Sequence, residues 1–395
     1  MDLKTSPAGS LGGHNSGGPN EQCDGESRRG GSGDPAGGFW KLILFCPAGR
    51  LAMRPTRGFE LSSLLGVLPP VSHAVAYGSG VFEQLGSAAV SKTAKVVDYI
   101  LAVDDAVAWH EENLMANPVH YGRLSRAVGG RNTVALADSV GLGVHFNPYV
   151  KVGAQLCKYG IVSKASLLRD LTEWENIYLA GRLHKPVRTL VESEEVAGAV
   201  RANARAALCA ALLLLPREFT RRGLYLKICA LSYEGDIRLA FAEDRSKVSN
   251  IVSGSEGELD RMYLGELRGD CGAMAGVSPR GSDSWTQEEG CHSSRAELLA
   301  CLPGPLLHDV SRGLGLVSLR FDTPESRRSS SATLARETRV SEILEATLAS
   351  RVRQASLRQA AYGFLTTDPV KSAYYLGQKL HKAFLSWHDK KDKRL

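Results

Sequence analysis

The stretch His73–Asp105, HAVAYGSGVFEQLGSAAVSKTAKVVDYILAVDD, decides the fold. Its first residues, Ala74 to Tyr77, read as a short apolar strand that stops at Gly78-Ser79-Gly80 and turns into Val81-Phe82. From Lys95 to Val103 the chain is almost continuously apolar and rich in β-branched residues, the pattern of a strand buried on both faces. One acid, Asp98, lies inside that run. A carboxylate in a buried strand costs on the order of several kcal/mol unless a cation or hydrogen bonds pair it. A strand, a glycine turn and a second strand bearing an acid can hold a triphosphate and its magnesium. The same pattern also suits a plain strand-to-helix turn.

Glycine supplies 41 of 395 residues, so a bare G-x-G is expected about four times by chance and carries little alone. The chain provides its own controls. Gly31-Ser32-Gly33 repeats the tripeptide in a polar tail with no strand before it, and Gly141-Leu142-Gly143 and Gly313-Leu314-Gly315 are two more. Gly78-Ser79-Gly80 differs by context, with an apolar strand on one side and an acid-bearing strand on the other.

The length allows two domains and a substantial core. A hydrophobic content of 43% with 23% charged residues is ordinary for a globular protein. The net charge of +6 permits an anionic partner without demanding nucleic acid, and none is expected. Eight cysteines, with no CxxC and no paired Cys/His ligand spacing, read as free thiols of a reducing compartment. The nearest approach to a membrane span is Ala206–Leu215, AALCAALLLL, about half the ~20 apolar residues required and ended by Pro216. It reads as a buried helix.

In chain order, residues 1–38 are Gly/Ser/Pro/Asn-rich and bury too little to fold. Phe39–Phe59 carries Lys41, Arg50, Arg54 and Arg57 between large apolar residues with no acid, which suits either an organelle-targeting peptide or a first packed segment. Trp109–Tyr121 reads as helix then loop, broken by Pro118. Val144–Phe146 and Leu156–Val162 look like strands flanking a turn at Asn147-Pro148, with Lys158 either snorkelling to an edge or aimed at an anion. Leu167–Leu179 is an amphipathic helix leading to a turn with Arg182 and Lys185. Val196 to about Val252 reads as a small helical domain with a strand-like stretch at Leu224–Leu231. Residues 253–333 read as an irregular insertion, and 334–357 as helix again.

Near the C-terminus, Val370, Tyr374, Gly377, Leu380, Phe384 and Trp387 recur every three or four residues, giving one apolar stripe. Lys371, Lys379, Lys382, Lys390, Lys391, Lys393 and Arg394 surround it against only Asp389 and Asp392. A basic helix with an aromatic apolar face suits an anionic membrane surface; it also suits a terminal helix packed on the body with a solvated basic face.

Eight motifs in order resemble one family: YGSGVFEQ at Tyr77–Gln84, VVDYILAVDDAVAWH at Val96–His110, NPVHY at Asn117–Tyr121, GVHFNPY at Gly143–Tyr149, KYGIVS at Lys158–Ser163, YLAGRLHKPV at Tyr178–Val187, ALSYEGDIR at Ala230–Arg238 and KVSNIV at Lys247–Val252. The family is the mitochondrial phosphatidate cytidylyltransferases. The resemblance implies an α/β polymerase-β-like nucleotidyltransferase domain over 39–190, a small winged-helix-like helical domain over 191–252 and a C-terminal membrane-associating amphipathic helix from 370. It also implies transfer of CMP from CTP to phosphatidic acid with Mg2+, giving CDP-diacylglycerol and pyrophosphate. The expected place is the matrix face of the inner mitochondrial membrane, peripherally bound, upstream of cardiolipin. His184 stands where the family usually has glutamine, which would alter a polar contact near the site.

Displacement at the α-phosphorus needs charge neutralisation and in-line positioning more than acid–base help. The attacking phosphate monoester is already largely dianionic near pH 7, its second pKa being about 6, so no general base is assigned. Tyr77, Gly78, Ser79 and Gly80 are the expected nucleotide-binding residues, with backbone N–H groups and the Ser79 hydroxyl on the triphosphate. Asp98 is the expected magnesium ligand. Lys158, Arg182 and Lys185 are expected on phosphate, and His120 and Tyr121 are site-adjacent by family pattern, a structural role being equally open. The superfamily usually places a second acid two residues after the first, but position 100 is Ile. Asp104 is about 20 Å further along an extended strand, so Asp104 and Asp105 read as loop acids, and Asp236 is a weak candidate for the missing ligand. Two other readings compete: a nucleotidyltransferase with an RNA or metabolite acceptor, and a non-catalytic membrane-peripheral assembly factor. The basic aromatic terminal stripe argues against the first, and the presence of Ser79 and Asp98 against the second.

Overall fold

The β-branched run forms the central strand of a five-stranded sheet. The computed structural model describes residues 60–82, 96–238, 246–288 and 290–366. The expectations for the polar tail, for Phe39–Phe59 and for the terminal helix with Tyr374, Lys379, Leu380, Lys382, Phe384 and Trp387 therefore lie outside the described residues. Strand β1 spans His73–Tyr77 and β2 spans Val97–Val103; β3 is Val144–Val152, β4 Gln155–Ser163 and β5 Val187–Val191. The strand order is β3-β4-β2-β1-β5, parallel only between β2 and β4 and antiparallel elsewhere.

Side chains alternate across β2, and both faces are covered. Tyr99, Leu101 and Val103 pack with Leu64 and Trp109, while Ile100 and Ala102 pack with Leu167, Trp174 and the helical layer. This double burial is what an uninterrupted apolar strand requires. Asp98 belongs by alternation to the face of Ile100, at the end of β2 that meets the turn after β1.

The Asn147-Pro148 pair does not end a strand. β3 continues to Val152 with a register shift between Asn147 and Val150, and the reversal comes at Gly153 (φ +57°). A proline is tolerated here because β3 is an edge strand and its register shift is local. Helix α1 is Ala106–Ala116, capped by Asp105, whose carboxylate accepts from Val107 N and Ala108 N. Helix α2 is Arg123–Ser139 and α3 is Lys164–Glu173, shorter than the periodicity suggests because Trp174 turns left-handed (φ +51°). The buried Asp170 then gathers the amides of Asn176, Leu179 and Ala180 into the short helix α4, Ala180–Leu183.

Helix α5, Glu194–Leu214, is long and apolar enough to cross a membrane, yet its Ala206–Leu212 run is buried inside the protein. Leu224–Leu231, expected strand-like, lies mostly in helix α6, Arg221–Ala230; Ile228 is its one β-branched residue, and Leu224, Tyr225, Ile228 and Cys229 are buried on one helix face.

The expected irregular insertion is ordered. Residues 253–333 lie in α7 (Lys247–Arg268), α8 (Asp270–Met274), α9 (His292–Ala300), α10 (Gly304–Gly313) and α11 (Pro324–Leu334), with a small sheet ordered β6-β8-β7 from Glu218–Thr220, Ser284–Thr286 and Ser278–Pro279. The helices are short and interrupted by Gly and Pro, so no long stripe marks them, but Leu298, Leu299, Leu302, Leu306, Leu307 and Val310 are buried. Thr323 with Ser326 forms a capping box ahead of Pro324, a local start signal that composition obscured. Helix α12, Val340–Thr366, closes the described chain.

Candidate active site

The turn after β1 needs both glycines. Gly78 has φ +84°, and a Cβ there would lie 3.3 Å from Asp98 Oδ2. A Cβ on Gly80 would come within 2.4 Å of the Val96 carbonyl oxygen, so only glycine lets the turn lie against the start of β2. Val81 N and Phe82 N both donate to the Gly78 carbonyl, leaving Ser79 exposed at the apex.

Register brings three side chains into one row. Tyr77 pairs with Asp98 across the antiparallel ladder, and Asp98 pairs with Lys158 across the parallel one. Lys158 Nζ sits 4.4 Å from the Phe146 ring centroid, and Gly160 makes room for that ring, since a Cβ would lie 2.5 Å from it. Burial pushes the Tyr77 hydroxyl pKa up, opposed by the positive charge of Arg182. The Arg182 guanidinium also stacks 3.8 Å from the Tyr178 ring centroid and donates to the Tyr178 carbonyl at 2.8 Å. The sheet row and the α4 turn thus meet at Tyr77 and Arg182.

Lys185 extends the row of cations. Its Nζ donates to the Ser232 hydroxyl at 2.7 Å and to the Gly181 carbonyl, over the ring of Tyr233. Burial, reinforced by the positive charges of Arg182, Lys247 and Arg238, pulls its pKa down to about 7. Arg238, Lys247, Ser232 and the ring platforms Phe146 and Tyr178 were not singled out from sequence, and only their places inside the quoted motifs hinted at them.

Three expectations change. Asp236 is not open as a ligand: both its oxygens accept from Arg238, at 3.0 and 2.5 Å. His184 does not face the site. Its Nε2 bonds to Asn203 Oδ1 at 3.0 Å, its ring lies beside Trp174, and burial pulls its pKa down to about 3. His120 and Tyr121 lie on the opposite face of the sheet from Asp98. His120 Nδ1 bonds to the Tyr159 hydroxyl at 2.9 Å, and Tyr121 OH bonds to His110 Nδ1 and accepts from Asn113 Nδ2. Tyr159 belongs by alternation to the face of Tyr99, not that of Lys158. Asp104, by contrast, is the exposed loop acid expected, held by Ser72 and Lys164.

Tyr121→Phe tests that placement. It strips a buried hydroxyl from His110 and Asn113 and should cost about 1–3 kcal/mol of stability, read by denaturant melts. Turnover should stay within about twofold of the parent, because a residue across the sheet contributes no transition-state contact. A large fall in kcat with unchanged stability would return Tyr121 to the site.

For a metal, the donor set is one half-buried carboxylate beside a turn that faces the ladder end. Magnesium binds through one or two carboxylates plus substrate phosphates and water, so Asp98 fits it, and Ile100, buried, explains why the strand offers no second acid. Among the described residues no three His, Cys, Asp or Glu side chains gather as a metal cluster.

The profile of the family described as "Phosphatidate cytidylyltransferase, mitochondrial" matches residues 61–382. The chain belongs to the mitochondrial phosphatidate cytidylyltransferase family. Relatives of that name occur in Xenopus laevis (35% identical, covering 83% of this chain and 96% of the relative), Danio rerio (35%, 81% and 92%) and Mus musculus (33%, 84% and 97%). The matched cytidylyltransferase segment contains Gly78–Gly80, Asp98, Lys158, Arg182 and Lys185, and leaves out the Gly31-Ser32-Gly33 twin.

Gly80→Ala probes the turn in this cytidylyltransferase scaffold. The added Cβ must push the turn from β2, at a cost of about 1–3 kcal/mol in stability. If the turn holds the nucleotide as expected from its sequence, a displacement of ~1 Å there should lower kcat about 100-fold. Gly66→Ala is the control, because nothing lies within 4 Å of a Cβ there. Equal behaviour of the two variants in melts and turnover would remove the turn from the site.

Proposed function

We propose that this chain transfers the cytidylyl group of CTP to phosphatidate, with magnesium, releasing pyrophosphate and CDP-diacylglycerol. The observation that carries this is the row Tyr77–Asp98–Lys158 beside the glycine turn and the Arg182–Lys185 cations, in a chain of this family. A phosphatidate oxygen attacks the α-phosphorus of CTP, a new P–O bond forms, and the bond to the β-phosphoryl oxygen breaks. The headgroup is already dianionic, so no side chain needs to take a proton. Backbone amides of the turn and the Ser79 hydroxyl hold the triphosphate, while Lys158, Arg182 and Lys185 neutralise charge on the phosphates. Magnesium, held by Asp98, would supply further charge neutralisation.

The proposed architecture is a polymerase-β-like nucleotidyltransferase domain on the five-stranded sheet. A winged-helix-like domain is supported by the succession α5, β6, α6, α7, α8, β7, β8 with strand order β6-β8-β7, reaching past residue 252. The proposed place is the matrix face of the inner mitochondrial membrane, where the product feeds cardiolipin synthesis. Purified protein incubated with CTP, Mg2+ and phosphatidate should form CDP-diacylglycerol and pyrophosphate in equal amounts. Pyrophosphate release without CDP-diacylglycerol would point to a different acceptor, and neither product to a non-catalytic protein.

Lys185 gives this reading a pH signature. With a folded pKa of about 7, the amine is protonated below that pH and binds anions best there. CTP affinity should therefore fall as pH rises through 7, by up to about tenfold per unit, with proton uptake on binding. The sign for folding is opposite: a depressed lysine pKa makes the unliganded protein more stable as pH rises from 7 toward the unfolded value. Lys185→Arg should flatten the CTP profile in titrations at several pH values. A profile unchanged by the substitution would place Lys185 away from the triphosphate.

A further inference from the structure

Phe146 and Tyr178 stand between two site cations that come from different elements. Phe146 lies on the edge strand β3 and pairs with Gly160 of β4. Lys158 and Gly160 share one face of β4, two residues apart, so a ring laid over Gly160 comes alongside the Lys158 ammonium. The distance from Nζ to the ring centroid is 4.4 Å. A Cβ at position 160 would lie 2.5 Å from Cε1 and 2.8 Å from Cδ1 of that ring, so glycine is what lets it lie down on the strand. Phe146 then meets the buried Tyr178 edge to face, with centroids 6.4 Å apart and planes at 75°. Tyr178 in turn carries the Arg182 guanidinium 3.8 Å from its centroid, and its carbonyl accepts from Arg182 Nη1 at 2.8 Å.

The contacts run without a break from Lys158 through Phe146 and Tyr178 to Arg182, and so tie the sheet to α4. Two cations that serve one polyanion repel each other until it arrives, and a lysine ammonium rides on a flexible four-carbon stem. A ring face attracts each cation through its quadrupole, and an edge-to-face pair fixes how the two faces stand to one another. A carboxylate in the same place would hold the cations as well, but it would neutralise them and repel an incoming phosphate. Rings hold them with their full charge kept for the ligand.

We propose that Phe146 and Tyr178 are positioning residues, which set Lys158 and Arg182 at a fixed separation for the phosphates before the nucleotide binds. The inference rests on the reading of these two cations as phosphate ligands. The rings act through the cations and touch no reacting atom. Gly160 belongs to the same device, because it alone gives the Phe146 ring its seat beside Lys158.

The test is calorimetric titration of the full chain with inorganic triphosphate, alongside CTP kinetics and thermal melts. Phe146→Leu keeps an apolar side chain and removes the ring face; it should weaken triphosphate binding about tenfold. KM for CTP should rise by the same factor while kcat stays within about threefold of the parent. Phe146→Tyr keeps the face and should recover most of the affinity. Gly160→Ala should weaken binding like Phe146→Leu, because its Cβ displaces the ring. In the double variant the two losses should not add, since no ring is left to displace. A Phe146→Leu chain that melts lower yet binds triphosphate like the parent would make the ring packing alone and overturn the proposal. Additive losses in the double variant, or equal weakening by Phe146→Tyr and Phe146→Leu, would overturn it as well. A parent chain that binds no triphosphate would refute the phosphate role of the cations together with that of the rings. Triphosphate binding with the expected pattern but without formation of CDP-diacylglycerol would uphold the positioning role and refute the proposed reaction.

Discussion

Asp98→Asn should lower kcat for CDP-diacylglycerol formation by at least about 1000-fold while the folded protein melts within a few degrees of the parent. The substitution keeps the volume and removes the charge of an acid that stands between Tyr77 and Lys158 in the sheet register. Among the described residues, Ile100 offers no replacement and Asp236 is already bound to Arg238, so neither takes over. Asp104→Asn is the control. Its carboxylate is exposed and held by Ser72 and Lys164, so losing it should leave the melt near parental and turnover intact. Near-parental turnover by Asp98→Asn in magnesium would make Asp98 a structural partner of the strands around it and remove it from the chemistry.

The strands and the turn were legible because their causes are local. A β-branched run has little choice but a doubly buried strand, and Gly78 at φ +84° is a demand that one residue type meets best. Lys158 could be read as a buried-strand cation aimed at an anion, since its alternation with Tyr159 follows from the strand period alone. The faces of the sheet were less accessible. His120 and Tyr121 share a motif with the site residues, but their side relative to Asp98 depends on where α1 packs, which is tertiary. His184 misled for the same reason: a family departure two residues after Arg182 and next to Lys185 looks like a site change, while the side chain turns inward to Asn203. Residues 253–333 failed as a sequence reading because short helices bury their leucines against α5 and α12 without a continuous stripe of their own. Composition reports polarity, and polarity there belongs to the outer faces of packed helices.

Deleting residues 370–395 should weaken binding to phosphatidate-containing liposomes by at least about 1000-fold, because each lysine near an anionic surface contributes about 1 kcal/mol. The deleted stretch holds seven cations, Lys371, Lys379, Lys382, Lys390, Lys391, Lys393 and Arg394, against Asp389 and Asp392. Its stripe of Tyr374, Leu380, Phe384 and Trp387 would add apolar burial at the acyl boundary. The described chain already leads toward such a role: Phe364 is 79% and Leu365 52% exposed in the last turn of α12, apolar surface presented where the stripe is about to begin. The lipid acceptor in the proposed reaction is itself anionic and would lie in that surface, so docking there would bring the Asp98 row to its substrate. CTP binding and the melting temperature should stay near parental values, because the cations and ring platforms of the site all lie before residue 250. A truncated chain that still pellets with liposomes but melts lower would mean that the terminal segment packs on the body. Cytidylyl transfer would then stand, and the membrane contact would belong to another surface.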